Sequence, residues 1–374
     1  MPMQDLLSRL RQHQSETLRL LETMVNMDSP STDKNLVDAF VKFLGPQFQA
    51  IGGQTEVVHS DRFGDHLVVR FPGPGTSRVL LLGHTDTVFA AGDAARRPFR
   101  IENGRAKGPG VFDMKGGIAL VWAALRQIGS FPRPVTVLLN SDEEVGSPSS
   151  RELIEREAQS AQAVLVLEPS LPGGALKTSR KGVGRFTVKA TGRAAHTGID
   201  PERGINAIEE IAHQVFELHR LSDPASGTTV TVSLIQGGTR LNVVPAEAGL
   251  EADIRVSSEK EAARITEAIR DLKPHVAGAS LQIRGGLNRP PMERSSDIER
   301  LFMLAREIAA EMGITLNEGS TGGGSDGNFT SALGIPTLDG LGPIGQGAHS
   351  LDEFVEVDSL PERAALIAEL IRRV

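Results

Sequence analysis

With 374 residues, the chain is too long for one ordinary hydrophobic core, so we expect two domains. Its 39% hydrophobic and 23% charged residues exclude a disordered or fibrous protein, and a net charge of −7 without a basic block argues against nucleic acid or an anionic membrane as the main partner. The chain contains no cysteine, which excludes disulfides, a thiol nucleophile and thiolate metal ligands, so any metal site must use histidine and carboxylates.

The first half of the chain predicts an α/β layer. Residues 6–27 have the spacing of an amphipathic helix, and the turn "DSPS" ends it. This segment lacks the features of a signal peptide, and no run approaches the roughly 20 apolar residues of a membrane helix, so we expect a soluble cytoplasmic protein. Continuously apolar strands then alternate with helices, which is typical of a largely parallel sheet. The predicted strands are "HLVVRF", "RVLLLGH", "VTVLLN" and "AVLVLE", and the helices are "GGIALVWAALRQIG" and "SSRELIEREAQ".

Near residue 180 the pattern changes to strands in which apolar and polar residues alternate. The segments are, in order, "GRFTVKATG", "RGINAIEEIAHQVFELHRL", "TTVTVSLIQGG", "AGLEADIRVSS", "EKEAARITEAIRDL" and "SLQIRGG". This β-α-β-β-α-β order predicts a ferredoxin-like α+β domain over residues 180–289. It would be inserted into an α/β domain made of residues 1–179 and 290–374, in which "TLDGLG" adds a strand to the first sheet. The segments "SDIERLFMLAREIAAEMG" and "DSLPERAALIAELIRRV" are predicted helices of that domain.

Polar groups of one chemical kind follow the predicted strands of the first domain. They are His84, Asp86, Asp113, Glu143, Glu144, Glu168 and, far downstream, His349. Alone, each has an ordinary explanation, such as a hydrogen-bonded histidine, a turn aspartate or a solvated acid pair at a helix start. In open α/β sheets, however, ligands bind beyond the carboxyl ends of the strands. The joint occurrence of histidines and carboxylates there predicts a site for a pair of divalent ions.

Eight segments in this order resemble the motifs of the M20 metallopeptidase family. They are "GHTDTV", "GPGVFDMKGG", "SDEEVGS", "LEPS", "AAHTG", "LNVVPAEA", "TGGGSD" and "GAHSLDEFV". Within the family, the glutamate carboxypeptidases are most similar, alongside acetylornithine deacetylases, succinyl-diaminopimelate desuccinylases and aminoacylases. The resemblance implies a zinc-exopeptidase-like catalytic domain with a mixed, largely parallel sheet. It also implies that the inserted domain mediates homodimerisation and acts as a lid.

The resemblance further implies a site with two zinc ions, for which Co²⁺ or Mn²⁺ could substitute. Asp113 would bridge the ions, with His84 and Glu168 on one and Glu144 and His349 on the other.

The catalytic groups are implied in the same way. Asp86 would hold the imidazole of His84, and Glu143 would be the general base that passes a proton from water to the leaving amine. His196, which in these dimers usually comes from the partner subunit, would stabilise the oxyanion. The peptide bond after Asp113 is expected to be cis.

Four further residues match positions at the substrate. Asn242 and Arg289 would contact its carboxylate, and Gly323 and Gly324 would line the same pocket with backbone amides. The lysine that the glutamate enzymes carry shortly after the "EP" motif has no clear match, so amide hydrolysis is better supported than a preference for glutamate.

The sequence therefore predicts a zinc-dependent hydrolase of small N-acyl or peptidyl amino acids with a free carboxylate, with a C-terminal glutamate as the leading substrate. Within the same chemistry, an N-acyl-amino-acid deacylase or a dipeptidase is the alternative. A non-catalytic metal-containing binding protein is the alternative of another class, although such a protein has no need of a general base at Glu143.

Overall fold

A computed structural model describes residues 2–374, which form two compact units. The first consists of the residues up to Ser179 together with Arg294–Ser320 and Ser325–Val374. The second consists of Arg180–Glu293 and Thr321–Gly324.

A six-stranded sheet is the centre of the first unit. Its strands lie in the order Gln54–Val58, His66–Phe71, Val135–Asn140, Arg78–His84, Ala161–Val166 and Thr337–Leu338. The last four of these run parallel to one another, while His66–Phe71 is antiparallel to both of its neighbours. The predicted mixed, largely parallel sheet is thus confirmed, including the strand in "TLDGLG".

Helices cover both faces of this sheet. The helices of the first unit are Met3–Gln12, Gln14–Val25, Lys34–Gln49, Asp93–Arg96, Gly116–Gln127, Arg151–Ala158, Ser296–Glu311, Gly327–Ala332 and Leu360–Arg373. Along the strand Arg78–His84, Leu81 packs into the larger apolar cluster with the terminal helices, whereas Leu80 and Leu82 pack into a second cluster on the opposite face. Burial on both faces explains why these strands are continuously apolar rather than alternating.

The helices near the start of the chain differ from the prediction in two places. The helix expected over residues 6–27 is broken at His13 into two helices. The helix Lys34–Gln49 was not predicted; Asp33 caps it by accepting the backbone N–H groups of Asn35 and Leu36.

The remaining strands in residues 2–374, outside the six-stranded sheet and the sheet of the second unit, are short. Arg100–Glu102, Arg105–Lys107, Phe354–Glu356 and Gly345–Gln346 form a small sheet, and Leu176–Arg180 pairs with Glu318–Thr321.

The second unit is an α+β sandwich with an antiparallel four-stranded sheet. Its elements are, in chain order, Gly182–Thr191, Ala207–Arg220, Thr229–Gly237, Glu247–Val256, Glu259–Arg270 and Ser280–Arg289. The strand Gly182–Thr191 alternates between buried and more exposed residues, because the buried side of the sheet carries the apolar core that it shares with the two helices. The predicted β-α-β-β-α-β order is confirmed.

Across residues 2–374, none of the helices combines the length and the apolar character that crossing a membrane requires.

Candidate metal centre and active site

Three neighbouring parallel strands bring the predicted ligands to one edge of the large sheet. His84 ends the strand Arg78–His84, Glu143 and Glu144 follow Val135–Asn140 in a single 3₁₀ turn, and Glu168 follows Ala161–Val166. Because the carboxyl ends of parallel strands lie at the same edge, these side chains converge.

The other two predicted ligands come from loops of the same unit. Asp113 lies in the turn Val111–Lys115, directly before the helix Gly116–Gln127, and its peptide bond to Met114 is cis, as the resemblance implies. His349 lies in the loop that joins two short strands.

The two oxygens of Asp113 face different partners. Oδ1 lies 3.2 Å from Nε2 of His84, and the same nitrogen lies 3.5 Å from Oε1 of Glu168. Oδ2 lies 3.4 Å from Nε2 of His349, which lies 3.1 Å from Oε2 of Glu144. The carboxylate of Asp113 therefore stands between two histidine–glutamate pairs.

These residues fit a pair of metal ions. Neighbouring ligands of a tetrahedral zinc ion with bonds of about 2.1 Å lie about 3.4 Å apart, which matches the separations within each group. Ligand atoms of His84, Asp113 and Glu144 all lie within 4.8 Å of one another. In addition, Oε1 of Glu144 is buried and accepts no hydrogen bond from any residue that the structure describes. A buried carboxylate oxygen without a donor is costly in a protein, and a cation would satisfy it.

Without an ion, the cluster binds protons strongly. Hydrogen bonds to Asp113 and Glu144 raise the pKa of His349 to about 11. Burial lowers the pKa of His84, but hydrogen bonds to Asp113 and the other carboxylates around it raise that pKa well above its usual value. Burial would raise the pKa of Asp113, yet the hydrogen bonds from the two imidazoles lower it. These contacts favour the imidazolium form of both histidines, and a metal ion would have to displace a proton from each ligating nitrogen.

Asp86 contacts the turn of Glu143 and Glu144 as well as the imidazole of His84. Its Oδ1 accepts the backbone N–H of Glu143 and its Oδ2 that of Glu144, each at 3.2 Å. The acceptor nearest to Nδ1 of His84 is the backbone carbonyl of Asp86, at 2.9 Å, with the carboxylate Oδ1 at 3.4 Å. Asp86 thus fixes the turn that carries both glutamates, a role that sequence reasoning did not assign to it.

Ser31 supports this aspartate and was missed at the sequence level. Its buried hydroxyl donates to Oδ2 of Asp86 at 2.7 Å. The segment "DSPS" contains this serine, but its pattern predicts only a turn that ends a helix.

The turn of Glu143 and Glu144 has a second support, from Asp326. The buried carboxylate of Asp326 accepts Nδ2 of Asn140 at 2.7 Å and the hydroxyl of Ser147. The last residue of the "TGGGSD" motif therefore anchors the turn. A carboxylate oxygen of Glu143 lies within 4.8 Å of ligand atoms of His84 and Glu168, beside the candidate metal ligands.

His196 and Asn242 lie close together in the second unit, and both are exposed. The backbone carbonyl of Asn242 accepts the N–H of Thr197 at 3.1 Å, and His196 forms a β-bridge with Val243. Nδ1 of His196 accepts the backbone N–H of Gly198 at 3.1 Å, so its Nε2 is the nitrogen that carries the proton in the neutral ring.

Arg289 and Gly324 also contact each other in the second unit. Arg289 is buried, and its Nη1 donates to Oδ1 of Asn288 at 2.9 Å. A Cβ atom on Gly324 would lie 2.9 Å from Cδ of Arg289, so a larger residue at this position would have to displace the side chain of Arg289. Nη1 of Arg180 donates to the carbonyls of Gly323 and Gly324 at 3.1 and 3.3 Å. These hydrogen bonds hold the glycine loop against Arg180.

Known proteins are similar to this chain in sequence and in fold. The model of peptidase family M20/M25/M40 matches residues 80–373. Carboxypeptidase G2 of Pseudomonas sp. (strain RS-16) is 32% identical over 369 residues, which cover 96% of this chain and 89% of that protein. Succinyl-diaminopimelate desuccinylase of Rhodospirillum centenum (strain ATCC 51521 / SW) is 30% identical over 345 residues, which cover 81% of this chain and 86% of that protein.

Solved structures show the same fold at lower identity. Aminopeptidase PepT from Bacillus cereus matches with a TM-score of 0.79 and 22% identity, covering 96% of this chain and 98% of that one. A dinuclear metal binding peptidase from the M20 family of Bacillus subtilis matches with a TM-score of 0.68 and 14% identity, over 96% of this chain and 98% of that one.

Proposed function

The chain belongs to peptidase family M20/M25/M40 and is a metal-dependent hydrolase, and from this premise we propose that it cleaves the amide bond of N-acyl or peptidyl amino acids with a free carboxylate. The observation that carries the proposal is the position of Asp113, whose two oxygens face two separate histidine–glutamate pairs. One carboxylate between two ligand groups suits a bridged pair of ions. We propose zinc as the metal, with Co²⁺ or Mn²⁺ as substitutes.

The metal ions would supply Lewis acidity for the scissile carbonyl and lower the pKa of a water molecule. The residues of the chain do the remaining work. His84, Asp113 and Glu168 would hold one ion, and Asp113, Glu144 and His349 the other.

Glu143 is the proposed general base. Its carboxylate would take a proton from the attacking water and transfer it to the leaving nitrogen as the C–N bond breaks. Two features support this role: its position beside the ligand cluster, and the bond from its backbone N–H to Asp86, which holds its turn in place.

The second unit would supply the groups that recognise charge. We propose that Nε2–H of His196 donates to the oxyanion that forms during attack, which agrees with the hydrogen bond that its Nδ1 accepts. We further propose that Arg289 and Asn242 bind the substrate carboxylate, and that Gly323 and Gly324 line this pocket.

The leading substrate is a compound with a C-terminal glutamate, as the resemblance of the motifs to glutamate carboxypeptidases implies. The 32% identity to carboxypeptidase G2 over nearly the whole chain supports cleavage beside a free C-terminal carboxylate. Removal of an acyl group from an N-acyl amino acid is the second candidate, favoured by the 30% identity to a desuccinylase. Cleavage of dipeptides is the third.

A substrate panel tests the proposal. The zinc-loaded protein is assayed on N-acyl glutamates, on matched N-acyl derivatives of neutral and basic amino acids, on succinylated diamino acids, and on dipeptides with free and blocked N-termini. A higher kcat/KM for the glutamate compounds supports the leading substrate, and equal rates across all leaving residues contradict it. If the metal-loaded protein cleaves no amide in the panel, the proposed reaction is wrong.

We also propose that the chain forms a homodimer through the second unit. Leu234 and Ile235 are each 59% exposed on the edge strand Thr229–Gly237, and Phe216 is 65% exposed on the helix Ala207–Arg220. An apolar edge strand is a ready surface for pairing with a second copy. Sedimentation of the wild type and of an L234K/I235E variant tests this: a dimeric wild type and a monomeric variant are expected, and a monomeric wild type contradicts the proposal. The cytoplasmic location stays a prediction.

A further inference from the structure

Glu353 is a buried acid that binds the turn of Asp113. It is 1% exposed and lies four residues beyond His349 in the chain. Its Oε1 accepts the backbone N–H groups of Phe112 at 2.7 Å and of Asp113 at 2.8 Å, and its Oε2 accepts that of Gly110 at 3.0 Å. One carboxylate therefore binds three amides of a single turn.

The turn needs an external acceptor because its backbone is irregular. Gly110 has a φ of 72°, and Asp113 has a φ of −117° and a ψ of 98°, which is far from helical. Backbone amides in such a turn cannot all be satisfied by helical hydrogen bonds, and a buried N–H without an acceptor is costly. Hydrogen bonds to a carboxylate are shorter and stronger than those to a neutral carbonyl, so Glu353 restrains the turn tightly.

The same residue also anchors the loop of His349. Glu353 directly precedes the strand Phe354–Glu356, which pairs with both Gly345–Gln346 and Arg105–Lys107. His349 itself has a φ of 64°, a left-handed conformation that non-glycine residues keep only where the surrounding structure enforces it. On the other side of the loop, Gly347 packs so closely that a Cβ atom there would lie 3.1 Å from Cα of Glu353.

The buried cation beside this acid is engaged elsewhere. The side chain of Lys115 interacts electrostatically with Glu353, but its Nζ donates to the backbone carbonyls of Met27 at 2.8 Å and Pro109 at 3.4 Å. Lys115 thus offsets the charge of Glu353, while the carboxylate oxygens bind the turn of Asp113.

We propose that Glu353 is a positioning residue of the metal centre, which sets the carboxylate of Asp113 relative to the imidazole of His349 and so sets the affinity for the ion that these two residues share. This inference rests on the proposed metal site, and it assigns Glu353 no contact with metal or substrate.

The substitution Glu353→Gln tests this role with little change of shape. The glutamine oxygen can still accept from Phe112 and Asp113, but its NH₂ group then faces the N–H of Gly110. Loss of an outer residue that orients a ligand typically weakens metal binding by about 10- to 100-fold. We expect this loss for the second ion and a smaller loss for the first, because Asp113 is a proposed ligand of both ions whereas His349 and its loop serve only the second.

Three measurements separate positioning from a general loss of stability. Titration against a chromogenic chelator gives the two metal affinities, and the absorption spectrum with Co²⁺ reports the ligand geometry. Because an ion that binds the folded state raises Tm, the difference in Tm between metal-loaded and metal-free protein should shrink in E353Q. A merely structural role would lower both Tm values equally and leave the cobalt spectrum unchanged.

Asp352→Asn is the matched control, because Asp352 is exposed and its substitution removes the same charge one residue away. D352N should keep both affinities, the cobalt spectrum and the activity of the wild type. Wild-type affinity for both ions in E353Q, with an unchanged cobalt spectrum, overturns the inference. If the wild type itself fails to bind two ions, the proposed metal centre is wrong instead.

Glu353→Asp is a second variant that tests the positioning role of Glu353. It keeps the buried charge, but a side chain shorter by one methylene cannot reach all three amides. We expect its affinity for the second ion to lie below that of the wild type, and wild-type affinity in E353D counts against the inference even if E353Q does not fold.

Discussion

The carboxylate of Asp86 accepts three hydrogen bonds, and Asp86→Asn should disrupt the turn that carries the general base. The asparagine oxygen can replace Oδ2 and keep the bonds from Ser31 and Glu144. Its NH₂ group then replaces Oδ1 and faces the N–H of Glu143, which lies 3.2 Å from Oδ1 in the native structure. Two donors that face each other cannot bond.

The magnitude follows from these contacts. Loss of one hydrogen bond to a charged group costs about 1.5–3 kcal/mol, and the N–H left without an acceptor costs about 1–3 kcal/mol more. If the turn relieves this free-energy cost by moving Glu143, a smaller fraction of the molecules has the carboxylate of Glu143 in the position for proton transfer. Because about 1.4 kcal/mol corresponds to a factor of ten, we expect kcat to fall at least about a hundredfold.

Metal binding should survive this substitution, because the backbone carbonyl of Asp86 still accepts Nδ1 of His84 at 2.9 Å. The assay is steady-state kinetics on the best substrate of the panel, with metal content measured on the same samples. Ser31→Ala is the comparison: it removes one hydrogen bond without opposing two donors, so kcat should fall only about tenfold.

Two results would refute this reasoning. Wild-type kcat in D86N with both ions bound would mean that the carboxylate does not hold the turn. If D86N loses metal but its metal-loaded fraction keeps the wild-type kcat, Asp86 acts only through His84, as the sequence alone suggests.

Three further predictions concern other parts of the site. Glu143→Gln should lower kcat by about 10²–10⁴-fold while the protein keeps its metal, which paired kinetic and metal analyses check; an active variant contradicts the role of base. Since hydrogen bonds to carboxylates raise the pKa of His349 to about 11, its imidazole is protonated at neutral pH, and metal binding should release that proton and tighten as pH rises. Calorimetry in two buffers with different heats of ionisation measures the release, and an affinity that stays constant from about pH 6 to about pH 9 counts against it. Gly324→Ala should raise KM more than it lowers kcat, because the new Cβ presses on Arg289, whereas Gly286→Ala, with open space around its Cβ position, should leave both constants unchanged.

Much of the fold could be predicted because burial leaves a periodic signal in the sequence. Strands buried on both faces, such as Val135–Asn140, are buried at every position and apolar at all but Thr136 and Asn140, and the half-buried strand Gly182–Thr191 alternates. The helix Lys34–Gln49 was not predicted although Asp33 caps it; Gly45 and Pro46, which both disfavour a helix interior, lie within it. The break at His13 was missed because the apolar spacing continues through it.

The metal-ligand candidates could be named from residue type and order. In a protein without cysteine, only histidines and carboxylates are strong ligands for a pair of divalent metal ions. The sequence by itself thus determined the α/β architecture and the β-α-β-β-α-β insert, and it predicted the chemical character of the site. Only the tertiary structure decided that the two oxygens of Asp113 face different histidines. It also decided that Asp86 and Glu353 bind the backbone amides of the turns that carry the ligands. The physical reason is that every residue except proline has a backbone N–H, so a side chain that binds the main chain requires no particular residue type in its partner and leaves no pattern there.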